Sequence, residues 1–598
     1  MKSLTPEERT VGIQNYYEAV GVSRRDFLKG VVAAGAVSGG GLGALYFGYQ
    51  KPGKPVRLGI IGTGDEGNVL INALTPEYHQ VVAIADIRPY NIHRAFHGDW
   101  ASDASIANRC GLMTKYGWKS EDEARKHVKV YDKDYRDLIK DPDVEAVVIA
   151  LPLHLHAKAA IDAMQAGKHV LTEKLMAHNV AQCKVMARVA EEKKLYLAVG
   201  HQRHYSVLYD NAVNLLKWGI LGQLHHIRAQ WHRGNLPGQD SWQQPLPGGE
   251  EGIVDGKRQR IDRIAKELRS FQEQLKTEKD PAKFDVLQKK IAQWRKWAED
   301  QGVKAEQHGY QEITLSNGRV RSALEELCRW RLWARTGGGL MAELGSHQLD
   351  AASIFCSALR KDGKKAHPLT VHAVGGRHIF PLDREAEDHV YCLFEFPGPE
   401  YHPGFEVGYR DPYSNIPDPT HGIPGFDQDP NKRIVVMYSS INGNGFGGYG
   451  EVVMGTKGTL IIETEQEVML YKSSDTSSLI SVKMDKGGPT MDTQASGPPT
   501  AAASLAKAAA GPVSRGYTEE LEHWAWCIRN PDPKNQPRCT PVVAMGDAII
   551  ALTTNVAINK SIAGEPGYIK FQEEWFDVKS DNTPDGSSVA EEQKKLLA

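Results

Sequence analysis

The sequence predicts an α/β chain: a doubly wound parallel sheet first, then an α+β domain on a large, mostly antiparallel open sheet. Three observations carry this expectation. Between residues 56 and 200, short apolar runs alternate with helix-like stretches, the pattern of parallel strands joined by crossover helices. The first run ends in Gly62-Thr63-Gly64-Asp65-Glu66-Gly67, a glycine-rich turn that opens a helix. From residue 225 onward, strand-length runs dominate. In the first of them Ile227, Ala229 and Trp231 alternate with His226, Arg228 and Gln230, as in a sheet with one covered face.

In chain order, the N-terminal 50 residues stand apart. Residues 23–29, Ser-Arg-Arg-Asp-Phe-Leu-Lys, precede an apolar Ala/Gly-rich run that extends to Tyr49. An arginine pair ahead of such a run is the pattern of a twin-arginine export signal, so the expected location is periplasmic or cell-envelope. A bilayer anchor would want a denser span of about 20 apolar residues; this run is diluted by seven glycines between Gly30 and Gly48. Ala34-Gly35-Ala36 and Leu42-Gly43-Ala44 both resemble cleavage sites, and an uncleaved signal would be the one expected membrane contact. Elsewhere the composition is that of a packed protein. Of 598 residues 41% are apolar, and 72 Lys and Arg balance 74 Asp and Glu to a net charge of −2. That balance gives no electrostatic case for a nucleic-acid partner. Seven cysteines form neither CxxC pairs nor zinc spacing, which argues against a disulfide scaffold.

Residues 54–200 are the first expected domain, of Rossmann type, with strands at 56–61, 81–87, 144–151, 169–172 and 195–200 and helices at 157–166 and 179–193. Gly62 allows the tight turn, Gly64 lets backbone approach a pyrophosphate, and Gly67 lets helix and strand pack closely. Asp86, at the end of the second strand, is placed to accept hydrogen bonds from an adenosine ribose and to repel a 2′-phosphate. The expected cofactor is therefore NAD; Arg88 nearby keeps NADP open as the less favoured choice.

Residues 143–175 read DVEAVVIALPLHLHAKAAIDAMQAGKHVLTEKL. This stretch resembles the glucose–fructose oxidoreductase and inositol dehydrogenase family (Gfo/Idh/MocA). That family has a strand, a Pro-containing loop with a downstream His, and an Ala-Gly-Lys-His-Val strand ending in Glu-Lys-Pro. The matching positions are Pro152, His156, Ala166-Gly167-Lys168-His169-Val170 and Glu173-Lys174. The resemblance extends over roughly 54–232 and 330–470. It implies that Pro152, His156 and Glu173 serve the cofactor, that Lys174 works at a sugar, and that the open sheet face pairs subunits into a homo-oligomer. It departs at Leu175, where the family has proline. The Lys–Pro peptide of the family is commonly cis, which costs about 0.5–1 kcal/mol before proline but roughly 2.5–4 before other residues.

The second expected domain, 201–579, begins with His201-Gln202-Arg203-His204-Tyr205, which resembles the family's link between domains; Tyr205, like His156, is expected to line the sugar pocket. Strands are expected at 225–231, 369–379, 389–396, 433–441, 452–454, 459–463 and 468–471. Ile434-Val435-Val436-Met437 reads as a strand covered on both faces. The strongest chemical feature is Gly337-Gly338-Gly339 followed by Glu343, His347 and Asp350, which an α-helix would bring to one face. In the resembling family an Asp and a His, four residues apart, work with the lysine; here Glu343 takes the acid's place. Oxidation of a secondary alcohol needs a base for the hydroxyl proton, and His347 suits that task near pH 7. Lys174 would hydrogen-bond the same oxygen, Glu343 would orient His347 or act as a second acid/base, and Asp350 would meet substrate. His154 with His156, and His201 with His204, tempt a metal reading. No carboxylate or cysteine joins them at ligand spacing, so no metal is expected.

Residues 234–329 break the pattern. Two apolar-periodic, highly charged runs flank Asp280-Pro281 and predict a helical hairpin. Residues 473–515, rich in Ser, Thr, Gly, Pro and Ala, read as a flexible excursion. Helices follow at 518–529 and 543–560, and 580–598 reads as a mobile tail.

The expected function is that of an exported NAD(P)-dependent oxidoreductase acting on a secondary hydroxyl of a sugar or polyol, with tightly bound cofactor. Two alternatives remain: a redox-neutral NAD-dependent glycosidase or lyase working by oxidation, elimination and reduction, and a non-catalytic sugar-binding protein with a structural dinucleotide.

Overall fold

The computed structural model describes residues 4–20, 42–316, 318–402, 432–485, 488–494 and 515–598. Arg24 and Arg25 of the expected export signal lie outside them. Six strands form the first sheet: β1 (Val56–Ile61), β2 (His79–Ala85), β3 (Lys129–Tyr131), β4 (Ala146–Ile149), β5 (His169–Glu173) and β6 (Leu197–Gly200). All pair in parallel, in the order β3-β2-β1-β4-β5-β6. Their apolar runs are continuous because helices cover both faces; Val147, Val148, Val170 and Leu171 are buried. Strand order reverses between β1 and β4, which opens a crevice at their carboxyl ends.

β7 (Leu224–Trp231) leads into the insertion. There a hairpin of β8 (Glu250–Val254) and β9 (Lys257–Ile261) precedes two helices, Arg263–Thr277 and Pro281–Glu299, and a small pair of β10 (Ile313–Thr314) and β11 (Val320–Arg321). The helical hairpin is the expected one. Asp262 and Asp280 cap its two helices, Pro281 opens the second, and Phe271 meets Trp294 edge-on at 5.2 Å.

The large sheet is completed by β12 (Thr370–Gly376), β13 (His389–Pro397), β14 (Arg433–Ile441), β15 (Tyr449–Gly455), β16 (Gly458–Glu463) and β17 (Glu467–Lys472). Beyond it, β18 (Leu479–Asp485) pairs with β19 (Gly488–Gln494), and β20 (Tyr568–Lys570) returns to the edge of the large sheet. The order is β17-β16-β15-β7-β14-β13-β12-β20, antiparallel except where β14 meets β7. The Pro541–Ile562 helix packs on β12. It is long and apolar enough to cross a bilayer, but 72% of its apolar window is buried inside the protein, as in a core helix.

Four expectations need correction. The run 434–437 is not covered twice: Ile434 and Val436 are buried, whereas Val435 and Met437 are 36% and 41% exposed on the open face. The excursion is partly the β18–β19 hairpin; residues 495–514 lie outside the described ones. The 580–598 tail is docked. Its Val589–Leu597 helix buries Val589 and Leu596, and Glu592 accepts a hydrogen bond from Gln182 at 3.0 Å. Finally, part of the N-terminal segment belongs to the folded body. The Pro6–Ala19 helix lies on β17 and β18, with Tyr16 buried, Asn15 paired to the backbone of Ile480 and Ser478, and Tyr471 donating to the Glu8 carbonyl.

Candidate active site

The glycine turn after β1 has the geometry its spacing predicts. Gly62 sits at φ +88°, and a Cβ there would stand 2.4 Å from the Ala150 carbonyl oxygen. A Cβ at Gly67 would stand 2.2 Å from the Gly62 carbonyl oxygen, so the Asp65–Ala73 helix can approach β1 only with glycine there. Gly64 caps that helix without a side-chain hydrogen bond, and the nearest atom to a Cβ there is 3.8 Å away, which leaves room for a pyrophosphate over the helix start. Two acids occupy the same turn. Burial would raise the pKa of Asp65, but Arg94 and Arg109 outweigh it and keep the carboxylate charged and paired. Burial raises that of Glu66, against the opposing pull of Lys174 and Arg331.

Asp86 follows β2. Its carboxylate accepts from Thr63 N at 2.8 Å, from Arg88 N at 2.9 Å and from Asn91 Nδ2 at 3.1 Å, which fixes it beside the glycine turn. Arg88 is turned away, its Nε bonded to Asp300 of the insertion at 2.8 Å. Pro152 begins the loop after β4. Glu173 ends β5, buried, with Oε1 unpaired; burial and then Glu66 raise its pKa. An unpaired buried carboxyl oxygen at this crevice, together with the open cradle at Gly64, fits a dinucleotide's ribose and pyrophosphate.

The Lys174–Leu175 peptide is cis. Lys174 Nζ donates to the Glu343 carbonyl at 2.9 Å, which ties the end of the first sheet to the second domain. Here the expected single α-helix is replaced. Met341–Gly345 is a π-helical turn, and the α-helix runs only from Ser346 to Ala358. The wider turn breaks the assumed four-residue stacking, and Glu343 does not orient His347. Its carboxylate instead pairs with Arg331 Nε at 2.8 Å; burial would raise its pKa, but Arg331 and Lys174 outweigh that and lower it.

His347 is 9% exposed and makes no side-chain hydrogen bond among the described residues. Burial, then the nearby Lys174 and Arg203 cations, push its pKa well below the ordinary histidine value. Its ring lies 5.4 Å from that of Trp231, which stacks on Tyr449 at 4.4 Å. The site thus brings together a buried imidazole, an ammonium group and a stacked aromatic pair.

Three expected site residues face elsewhere. Both ring nitrogens of His156 are engaged by carbonyls, of Leu175 and Leu151, each at 2.8 Å, so it braces the loop and offers no edge to cofactor or sugar. The Tyr205 hydroxyl accepts from Arg538 N at 2.7 Å and meets His523 at 3.0 Å; it packs against the C-terminal segment and not the cleft. Asp350 is buried among His204, His201 and Lys365. Burial alone would raise its pKa, yet these neighbours hold it well below the usual carboxylate range, so it anchors the helix instead of meeting substrate. His201, Asp350 and Asp547 come close enough to suggest a metal cage. Lys365 Nζ stands 2.7 Å from Asp547 and 3.4 Å from Asp350, so the cation of this cluster is a lysine. The residues that sequence reasoning missed are Arg331, Arg203 and Tyr449. Arg331 could have been sought beside Trp330, just ahead of the glycine run; the others become neighbours only through the fold.

Residues 56–201 match the model of the Gfo/Idh/MocA family, described as an oxidoreductase family with an NAD-binding Rossmann fold. A glycosyl hydrolase family 109 protein from Solibacter usitatus is 28% identical over 216 residues, which are 35% of this chain and 46% of that protein. Inositol 2-dehydrogenase from Gluconacetobacter diazotrophicus is 31% identical over 185 residues, 30% of this chain and 47% of that protein. The chain thus spans less than half the length of these curated relatives. Scyllo-inositol dehydrogenase from Lactobacillus casei, solved with NAD(H) and scyllo-inositol, superimposes with a TM-score of 0.43 at 14% identity, covering 86% of this chain and 99% of that one. Sheet order, glycine turn and family match agree: over residues 56–201 this chain is a Rossmann domain similar to the NAD-binding domain of the Gfo/Idh/MocA oxidoreductases.

Proposed function

We propose that the protein is an oxidoreductase that uses a tightly held NAD to oxidise or reduce a secondary hydroxyl of a sugar or polyol. One observation carries this reading: Lys174, just after β5, bonds the carbonyl of Glu343, four residues before His347, and its ammonium lies near enough to both His347 and Glu66 of the glycine turn to shift their pKa values. When bound, the nicotinamide supplies a hydride acceptor or donor. Gly62, Gly64, Gly67, Asp86 and Glu173 would hold the dinucleotide. His347, neutral at pH 7 because burial disfavours its charged form, takes the hydroxyl proton on a ring nitrogen. The Lys174 ammonium, positioned by the Glu343 carbonyl, donates a hydrogen bond to the same substrate oxygen and offsets its developing negative charge. Arg331 keeps the Glu343 carboxylate ionised and fixed beside Lys174.

Asp86 supports NAD over NADP, and the withdrawal of Arg88 supports the same choice. The arginine pair at 24–25 supports export, and an exported enzyme needs a captive coenzyme because no free pool refreshes it outside the cytoplasm. A second reading is favoured by the glycosyl hydrolase relative: transient oxidation acidifies the neighbouring C–H, a base takes that proton as the aglycone leaves by β-elimination, water adds to the resulting enone, and the hydride returns to the carbonyl. Absorbance of the purified protein near the NADH band, followed while sugars, polyols and aryl glycosides are added, separates the readings. Lasting reduction supports the dehydrogenase; aglycone release without net reduction supports the glycosidase; silence across the panel contradicts both and leaves a binding protein.

A further inference from the structure

We propose that the 234–329 insertion, through Asp300, closes the adenosine end of the nucleotide site, excludes a 2′-phosphate and slows cofactor exchange. This rests on the reading of the protein as an NAD enzyme and names the element that enforces it. In a sheet of this strand order the adenosine ribose lies against the acid at the end of β2, here Asp86. Insertion residues crowd that corner. Asp300, fully buried, accepts from Arg88 Nε at 2.8 Å and from Tyr90 N at 3.0 Å. Trp297 stacks on Tyr90 at 4.6 Å with the rings 12° from parallel. Ile87 packs against the cluster of Ala305, Tyr310, Ala323 and Leu327. Tyr310 also meets His154, on the loop after β4, edge-on at 5.6 Å. The insertion therefore bridges the loops that follow β2 and β4, the two walls of the crevice on the adenosine side.

Arg88 matters most. It lies two residues from Asp86, and in an open site its guanidinium could swing to a 2′-phosphate, as basic residues at this place do in NADP enzymes. Here the group is enclosed. Asp300 holds Nε, the Tyr90 ring lies 5.9 Å away, and Nη2 is buried without a hydrogen-bond partner. A 2′-phosphate would meet the Asp86 carboxylate while the nearby Arg88 guanidinium is held by Asp300. A second set of contacts fastens the insertion to the first domain: Gln293 Nε2 donates to Asp99 at 2.8 Å and Trp100 N donates to Gln293 at 2.7 Å. A nucleotide seated beneath these contacts leaves only when they part.

The test uses the full chain, with bound nucleotide quantified after denaturation and its loss followed in the presence of excess unlabelled NAD. Equilibrium binding of NAD and NADP is measured alongside. Asp300→Asn, which releases the Arg88 charge, is expected to raise NADP affinity relative to NAD by about tenfold or more and to shorten NAD residence by a similar factor. The double variant Arg88→Met/Asp300→Asn should lose the gain in NADP affinity. Trp297→Ala, which loosens the insertion without touching Asp300, should shorten residence and leave the NADP to NAD ratio unchanged; it also serves if Asp300→Asn fails to fold. A wild type that retains NAD, with variants that match it in both selectivity and residence, overturns the proposal and leaves the enzyme reading intact. A wild type that binds neither nucleotide overturns both.

Discussion

At the scale of single residues, the account places proton transfer on His347 and oxyanion stabilisation on Lys174. His347→Ala and Lys174→Ala are each expected to lower the rate of hydride transfer by about 10²- to 10⁴-fold while bound NAD stays in place, as checked by stopped-flow absorbance and by nucleotide release. The histidine pKa is depressed by burial and neighbouring cations, so its protonated, inactive form accumulates only in more acidic solution. The acid limb of kcat/KM should therefore have its midpoint below 6.5, the ordinary histidine value, and should disappear in His347→Ala. Stability has the same sign. Below the unfolded pKa the unfolded chain binds a proton that the buried ring resists, so folding weakens as pH falls through that value. Both proposals start from local sequence signals, a Glu-Lys strand end and a glycine run ahead of a histidine. His156, Tyr205 and Asp350 were misread because each partner that occupies them comes from elsewhere in the chain: the Leu175 carbonyl, Arg538, and the trio of His204, His201 and Lys365.

At the scale of elements, strands whose apolar period is strong were readable to within a few residues. The 56–61 and 433–441 strands coincide with β1 and β14. β3 and β20 are three residues each, too short for any period to register. The β18–β19 hairpin hides in a Ser/Thr-rich composition, and the π-helical turn at Met341–Gly345 has no sequence signature that separates it from an α-helix. The Pro6–Ala19 helix went unread because its partner is the distant sheet edge. Gly12 sets that docking: a Cβ there would stand 2.3 Å from the Tyr471 hydroxyl and 2.7 Å from Met469 Cβ. Gly12→Leu should cost about 1–3 kcal/mol if the helix stays docked, or release it. A lowered Tm, or faster proteolysis between residues 4 and 20, would register the change; a variant as stable and as resistant as wild type would remove the helix from the folded body.

At the scale of the whole molecule, one face of the large sheet is left open among the described residues. Val374, Tyr391, Leu393 and Met437 are between 41% and 53% exposed, and cross-strand pairing sets Leu393 opposite Met437 and Val374 opposite Tyr391. We propose that this patch pairs with a second copy of the same sheet. Sedimentation should report an oligomer for the wild type and a smaller species for Leu393→Glu/Met437→Glu, with bound nucleotide unchanged; a monomeric wild type would contradict this. On the proposed function, the insertion and the glycine turn both serve a resident dinucleotide. The most direct test is to purify the protein under native conditions, denature it and identify what is released. The account predicts NAD in near-stoichiometric yield. A protein that releases no dinucleotide and takes up none when NAD is added would contradict it.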